Sequence, residues 1–282
     1  MSNQTHLALR AHKTLRRHWM NRVCIVTGSS AGIGRETARL LVAAGAKVVV
    51  NGRDEVRLRS IAEQLEASGN AVQQVVADVS TPEGAKALVD QTIASYGRID
   101  ALINNAGASM RGDIADLSAA TLDAMYTGNV RAAMLPTVAA IPELTRTCGR
   151  IVFVSTVAAT TGFGGVSVYS AAKAAVERFA EALEIEMPQV TVRVVRLGFI
   201  QNDPDKRILA ADGRPFRHQR AAKTTQPEAA YAVLSAATAK RSLTIADRSG
   251  RLLATALRVV PRLVRRLLRR RGSSVHRVTE SR

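Results

Sequence analysis

The sequence is poor in cysteine: Cys24 and Cys148 are the only two in 282 residues, too few for a disulfide framework. That usage fits a reducing compartment, and each thiol reads as a small buried hydrophobe at a strand edge. No apolar run approaches the roughly 18 residues needed to cross a bilayer. The N-terminus has no apolar core followed by a cleavage site, so secretion is not expected and a cytoplasmic location is. The five histidines form no metal-ligand spacing, and no metal is expected. Acidic residues are scarce at the two ends. Residues 1–22 hold five Lys/Arg and no Asp or Glu, and residues 248–282 hold eleven Arg and one Glu. Between them, residues 23–247 carry 24 basic and 22 acidic side chains, so most of the formal +17 belongs to the ends. A body without its own basic stripe argues against nucleic acid as a partner.

What is present is an alternation of short β-branched runs with longer helical periods. Strands are expected at Val23–Thr27, Lys47–Asn51, Ala71–Ala77, Ala101–Asn104, Arg150–Ser155 and Thr191–Leu197. Helices are expected between them, among others at Arg35–Ala44, Arg57–Ala67 and Pro82–Tyr96. Strand–helix alternation predicts right-handed crossovers and an α/β, doubly wound parallel sheet of the Rossmann-like kind. The economical division is a basic extension over 1–21, one α/β domain over 22–247 and an arginine-rich tail over 248–282.

The first strand runs into Thr27-Gly28-Ser29-Ser30-Ala31-Gly32-Ile33-Gly34, and a helical segment follows. Glycines there let the backbone turn tightly and approach a pyrophosphate, while the helix N-terminus offers free N–H groups to the anion. The second strand ends in Asn51-Gly52-Arg53, with no carboxylate for the ribose hydroxyls; an arginine can instead pair with a 2′-phosphate. NADP(H) is therefore expected in preference to NAD(H).

Tyr169-Ser170-Ala171-Ala172-Lys173 places a phenol and an ammonium four residues apart, on one face of a helix. Exchanging a hydride with a carbonyl carbon requires a proton to move at its oxygen. A free phenol, with a pKa of about 10, is a poor partner near neutrality unless a nearby cation stabilises its anion.

With Thr27–Gly34 in front, the chain resembles the short-chain dehydrogenase/reductase family of the Tyr-x-x-x-Lys type. Asp78-Val79 resembles the family's adenine-contacting dipeptide, and Asn104-Asn105-Ala106-Gly107 its N-N-A-G turn beside the cofactor ribose. The resemblance implies cofactor contacts at Thr27, Gly28, Ser30, Gly32, Ile33, Gly34, Arg53, Asp78, Val79, Asn105, Ala106, Gly107, Tyr169, Lys173, Gly198 and Ile200. It implies catalytic roles for Tyr169 and Lys173 and for a hydroxyl that orients the substrate carbonyl. The family's usual interval puts that hydroxyl on Thr156, thirteen positions before the tyrosine, with Ser155 the alternative. It also implies that Asn129 helps hold a water linked to the lysine, although read alone Asn129 is equally a helix-breaking or capping residue. Two departures stand out. Ala31 occupies the place where many NADP-dependent members have a second basic residue, and Leu197-Gly198 replaces Pro-Gly, with Asn202 in the threonine-like position.

Residues 201–226 correspond to the family's variable cover over the substrate and are basic, as suits either an anionic handle or a solvated loop. In Arg251–Arg269 six arginines fall on one helical face. Leu252, Leu253, Leu257, Val260, Leu263, Val264, Leu267 and Leu268 fall on the other, with a kink expected at Pro261. Such a helix suits an anionic membrane surface, and the stretch 7–20 with Trp19 is expected to add a weaker contact. The alternative is that the helix docks on its own body or on a second copy. The expected protein is thus a homo-oligomeric NADP(H)-dependent oxidoreductase of a ketone and secondary alcohol, acting on a lipophilic small molecule at the inner face of a membrane. A soluble reductase of a polar or carrier-bound keto compound, or a non-catalytic dinucleotide sensor, are the alternatives.

Overall fold

The structure, a computed structural model, describes residues 14–67, 71–204, 206–218, 222 and 224–272, the last three by backbone alone. Seven strands form one parallel sheet: β1 (Val23–Val26), β2 (Lys47–Gly52), β3 (Val72–Val76), β4 (Ala101–Asn104), β5 (Arg150–Thr156), β6 (Thr191–Leu197) and β9 (Leu243–Ile245). Their spatial order is β3-β2-β1-β4-β5-β6-β9. The chain starts centrally, winds out to one edge, returns beside β1 as β4 and winds out to the other. The crevice at that reversal, beyond the carboxyl ends of β1 and β4, is where such sheets bind ligands.

The strands are mostly apolar because both faces are covered, and their two-residue period divides them between two cores. Cys24, Val26, Val48, Val50, Val152 and Val154 pack on one side, against α2 (Gly32–Ala43), α3 (Glu55–Glu66) and α8 (Gln226–Ala237). Ile25, Val49, Ile151 and Phe153 pack on the other, with α4 (Pro82–Tyr96), α6 (Ala132–Arg146) and α7 (Ser167–Glu186). Each fully buried Leu, Ile or Val contributes roughly 1.5–3 kcal/mol. The α4 boundaries follow from local chemistry: Thr81 accepts the Gly84 N–H, Pro82 occupies the first turn, and Gly97 ends the helix at a left-handed φ of 70°.

Several expectations are corrected. Cys24 lies in β1, at the centre of the sheet rather than its edge, and burial pushes its thiol pKa up. Cys148 is exposed, at φ 47° in the turn before β5. A short helix over residues 14–19, α1, carries Trp19, which is 1% exposed in the first core with the Arg150 guanidinium over its ring. That indole is unavailable to a membrane; the earlier part of the stretch lies outside the described residues. Pro261 breaks the tail helix instead of kinking it. Its ring disfavours helical geometry at Val260 (φ −131°, ψ 59°), so α9 (Arg248–Val259) stops and α10 (Pro261–Gly272) begins. Strand β9 and a hairpin of β7 (Arg207–Leu209) and β8 (Pro215–Arg217) were not anticipated, because three-residue strands carry almost no periodic signal.

Candidate active site

At the carboxyl end of β1 the backbone turns through Gly28 (φ 62°) and Gly32 (φ 59°), conformations that L side chains rarely adopt. A Cβ on Gly28 would stand 2.8 Å from Ala106 Cα, and one on Gly34 would overlap Asn105 Nδ2 and the Gly28 carbonyl. Two turns, one after β1 and one after β4, are thereby pressed together. Asn105 Nδ2 donates to the Thr27 and Gly28 carbonyls at 3.0 Å each. Thr27 Oγ1 accepts the N–H groups of Asn105 (3.1 Å) and Ala106 (3.0 Å). Helix α2 then starts at Gly32, three residues earlier than its periodicity suggested, with no side-chain cap and no acid in its first turn. Its leading N–H groups are therefore left for an anion, and the glycine turn leaves room for one to approach.

The neighbouring strand ends carry further candidate cofactor residues. A Cβ on Gly52 would lie 3.2 Å from Ser30 Oγ, which places Ser30 beside the tip of β2. Arg53 is 79% exposed there, 3.7 Å from Asp78 Oδ2 at the end of β3. Burial works against the Asp78 carboxylate. Hydrogen bonds from Ser80 and the Arg53 charge outweigh that and hold its pKa below the usual carboxylate value. The Val79 side chain packs into the core, so any contact it makes with adenine is through its backbone.

Helix α7 carries Tyr169 and, one turn later, Lys173. The ammonium is 7% exposed, donates to the Val154 carbonyl at 3.0 Å and lies next to Gly107, whose added Cβ would be 3.4 Å away. Burial, with the Lys206 charge, pushes the Lys173 pKa down to about 8 against the opposing pull of Glu177. Asn129 stands on the same spot: the Gly107 Cβ would be 3.0 Å from its Oδ1. It is fully buried in a π-helical stretch, Thr127–Arg131, between α5 (Ala119–Tyr126) and α6. Its Nδ2 donates to the Ala108 and Met125 carbonyls, while Oδ1 has no partner among the described residues. A π-helical turn interrupts the regular hydrogen-bond ladder, and this one does so beside the lysine. Asn129 is therefore neither a cap nor a helix end.

The two candidate hydroxyls differ. Ser155 is buried and donates to Glu177 Oε1 at 2.6 Å, turned into the fold; Glu177 in turn receives Arg196 through both carboxylate oxygens, at 2.9 and 2.6 Å. Thr156, the last residue of β5, is partly exposed, and its Oγ1 accepts the Ala158 N–H at 3.2 Å. Beyond β6, a Cβ on Gly198 would meet Asp247 Oδ1 at 2.6 Å, and Ile200 bridges to Thr224. Asp203 is drawn back towards the glycine turn: its Oδ1 accepts from Arg35 Nη2 (3.4 Å) and Gln226 Nε2 (3.0 Å), and Oδ2 would lie 3.6 Å from a Gly32 Cβ. Sequence reasoning missed Glu177, Lys206 and Asp203 as neighbours of the site. Glu177 alone left a signal, standing four residues after Lys173 on the same face.

A family model described as short chain dehydrogenase matches residues 22–212. The chain is 37% identical over 183 residues to the (2S)-[(R)-hydroxy(phenyl)methyl]succinyl-CoA dehydrogenase subunit BbsD of Thauera aromatica, covering 64% of this chain and 73% of that one. It superposes on a short chain dehydrogenase/reductase of Burkholderia phymatum in complex with NAD, with TM-score 0.75, 22% identity and coverage of 86% and 95%. It also superposes on L-sorbose reductase of Gluconobacter frateurii complexed with NADPH and L-sorbose, with TM-score 0.63, 29% identity and coverage of 65% and 71%. With the glycine turn, the N-N-A-G turn and the Tyr169–Lys173 helix brought to one crevice, the chain belongs to the short-chain dehydrogenase/reductase family and is one of its nicotinamide-dependent oxidoreductases.

Proposed function

We propose that the protein interconverts a ketone and a secondary alcohol with NADP(H), on a lipophilic substrate and at a membrane surface. The observation that carries the reaction is the buried Lys173 ammonium, tied to Val154 and set beside Asn129 one turn from Tyr169. The bound nicotinamide would supply or accept the hydride. Thr27–Gly34, Asn105–Gly107, Gly198 and Ile200 are the residues that would hold it, and the side-chain-free cradle at Gly28 and Gly32 fits such a group. Tyr169 passes the proton to or from the substrate oxygen. Lys173 stabilises the phenolate by its charge, and the partly exposed Thr156 hydroxyl, rather than the inward-turned Ser155, orients the carbonyl. Asn129 holds a water that connects the lysine to solvent. Tyr169→Phe should lower kcat by about 10²–10⁴-fold with cofactor binding retained, as general acid–base losses of this type do. A variant keeping wild-type turnover would sink the assignment.

Preference for the phosphorylated cofactor is supported by Ser30 lying beside Gly52 at the tip of β2 and by the exposed Arg53 that follows it, β2 itself ending without a carboxylate. Arg53→Asp should weaken NADPH binding far more than NADH binding in calorimetric titration. Equal weakening would favour NAD(H).

Membrane association is supported by α9 and α10. Leu252, Val259, Val260, Leu263 and Leu267 are all exposed, and Val264 is the one buried apolar side chain of that face among the described residues. The arginines opposite add roughly 1 kcal/mol each near an anionic surface. Co-sedimentation with phosphatidylserine vesicles should be lost when the chain ends after Val259. Cutting further back is uninformative, because Gly250 packs on Val157 beside the site. Exposed Leu122, Tyr126 and Val138 on α5 and α6 support pairing with a second copy.

The second reading, a reductase of a carrier-bound keto compound, is favoured by the resemblance to a dehydrogenase of a succinyl-CoA derivative.

A further inference from the structure

Two buried charged residues stand one turn apart on α7, and both reach across to the end of β5. Lys173, 7% exposed, donates to the Val154 carbonyl at 3.0 Å. Glu177, 2% exposed, accepts the hydroxyl of the next residue, Ser155, at 2.6 Å. Successive side chains of a strand point to opposite faces, so Ser155 shares the face of Ile151 and Phe153, which packs with α7. Arg196 is the β6 partner of Ser155 in the sheet register and lies on that face too. Its guanidinium engages both Glu177 carboxylate oxygens, at 2.9 and 2.6 Å. Adjacent residues of β5 are thus tied to successive turns of α7, one through its carbonyl and one through its hydroxyl.

Packing alone does not require an ion pair here, since apolar side chains of similar volume fill such a place without the desolvation penalty. What they would not supply is a negative charge in the low-dielectric surroundings of Lys173. Among the described residues two charges act on that ammonium: Lys206, from the loop after β6, opposes it and Glu177 favours it. The other charged groups around it are engaged elsewhere. Arg196 faces Glu177, and Arg131 of the π-helical stretch donates to the Ser80 carbonyl. The Tyr169 phenol lies one turn before Lys173 on the same helix.

We propose that Glu177 is a positioning residue of the proton-transfer site: held by Arg196, its carboxylate fixes the end of β5 beside the Lys173 ammonium and balances the charge of that buried group. This adds a member behind Lys173 and rests on the reading of Lys173 as the support of the phenolate.

Glu177→Gln keeps the shape and removes the charge, but it leaves the Arg196 guanidinium without its carboxylate in the interior. A second variant, Glu177→Leu/Arg196→Met, replaces the whole pair with apolar side chains and guards against a failure to fold. The full-length proteins, carrying lysine labelled with carbon-13, can be titrated by NMR, with Lys173→Met identifying the resonance. The Lys173 midpoint, about 8 in the wild type, should fall by about half a unit or more in both variants, because a nearby opposite charge favours the ammonium. Glu177→Asp, with the charge on a shorter stem, should hold the midpoint closer to wild type than Glu177→Gln does. With NADPH and 2-decanone, the alkaline limb of kcat should move down by the same amount. The wild-type advantage should therefore grow about threefold between about pH 6 and pH 9, with KM for NADPH unchanged. A merely structural role would lower kcat equally at every pH and leave the midpoint in place. An unmoved midpoint in the folded double variant, or coincident midpoints for Glu177→Asp and Glu177→Gln, overturns the proposal. A lowered midpoint in a protein that reduces no ketone upholds the link between Glu177 and Lys173 and strikes down the oxidoreductase reading instead.

Discussion

Helices α2 and α9 are both twelve residues long and both amphipathic, yet they end in opposite situations. In α2 the apolar face is closed against the sheet and α8, with Ala38, Leu41 and Val42 buried. In α9 only Gly250 is buried, and Leu252 is 72% exposed. A hydrophobic period shows that a face wants cover, and it is silent about what provides it. For α2 the cover is the protein's own sheet. For α9 and α10 the described chain supplies little, which is why an external surface enters the functional reading.

The sharpest test contrasts the site with its scaffold. Lys173→Met should abolish turnover while leaving the fold as stable as wild type or more so. The sign follows from the buried ammonium. Its folded pKa of about 8 lies below the unfolded value, so the unfolded chain binds more protons between the two. The stability penalty is therefore full below about pH 8 and fades as pH rises towards the unfolded value. The variant's melting temperature should match or exceed wild type at pH 7, with any advantage gone at high pH. Wild-type activity should in turn fall above about pH 8, as the ammonium that supports the phenolate loses its proton. A rate rising steadily through pH 9 would contradict this.

Next in size is the helix comparison itself. Leu41→Ala, at a fully buried position, should cost about 2–5 kcal/mol by chemical denaturation. Leu252→Ala should stay within about 0.5 kcal/mol. A large loss at Leu252 would mean that α9 is covered in solution, by a second copy above all. The smallest effect separates two glycines with positive φ. Gly28→Ala should cost about 2–3 kcal/mol, because strain and contact with the Ala106 backbone combine. Gly97→Ala meets nothing within 4 Å and should cost only about 1–2 kcal/mol from its left-handed backbone. Equal losses would show that the crowding at Gly28 relaxes.

Much of the site was legible because its residues are local. Thr27–Gly34 is one strand–turn–helix unit, and Tyr169 and Lys173 share one helical turn, so spacing alone brings their atoms together. Spacing to Tyr169 favoured Thr156 but left Ser155 open as the alternative. The distinction rests on Glu177 and Arg196, brought from α7 and β6 to claim the Ser155 hydroxyl. The proximity of the β7–β8 hairpin to the turn that carries Gly107 was hidden for the same kind of reason. Ser109 and Leu209 are a hundred residues apart, and only the paired backbone joins them.

The sequence by itself determined the doubly wound sheet, its glycine turn and the placing of Tyr169 and Lys173 on one helical turn, since each rests on short-range periods and backbone freedom at named positions. Tertiary structure decided that the Ser155 hydroxyl is turned inward to Glu177 while Thr156 stays partly exposed, that Trp19 belongs to the core and that the apolar face of α9 and α10 is left largely uncovered. Those outcomes depend on which elements meet across long stretches of chain, and burial, not periodicity, sets them.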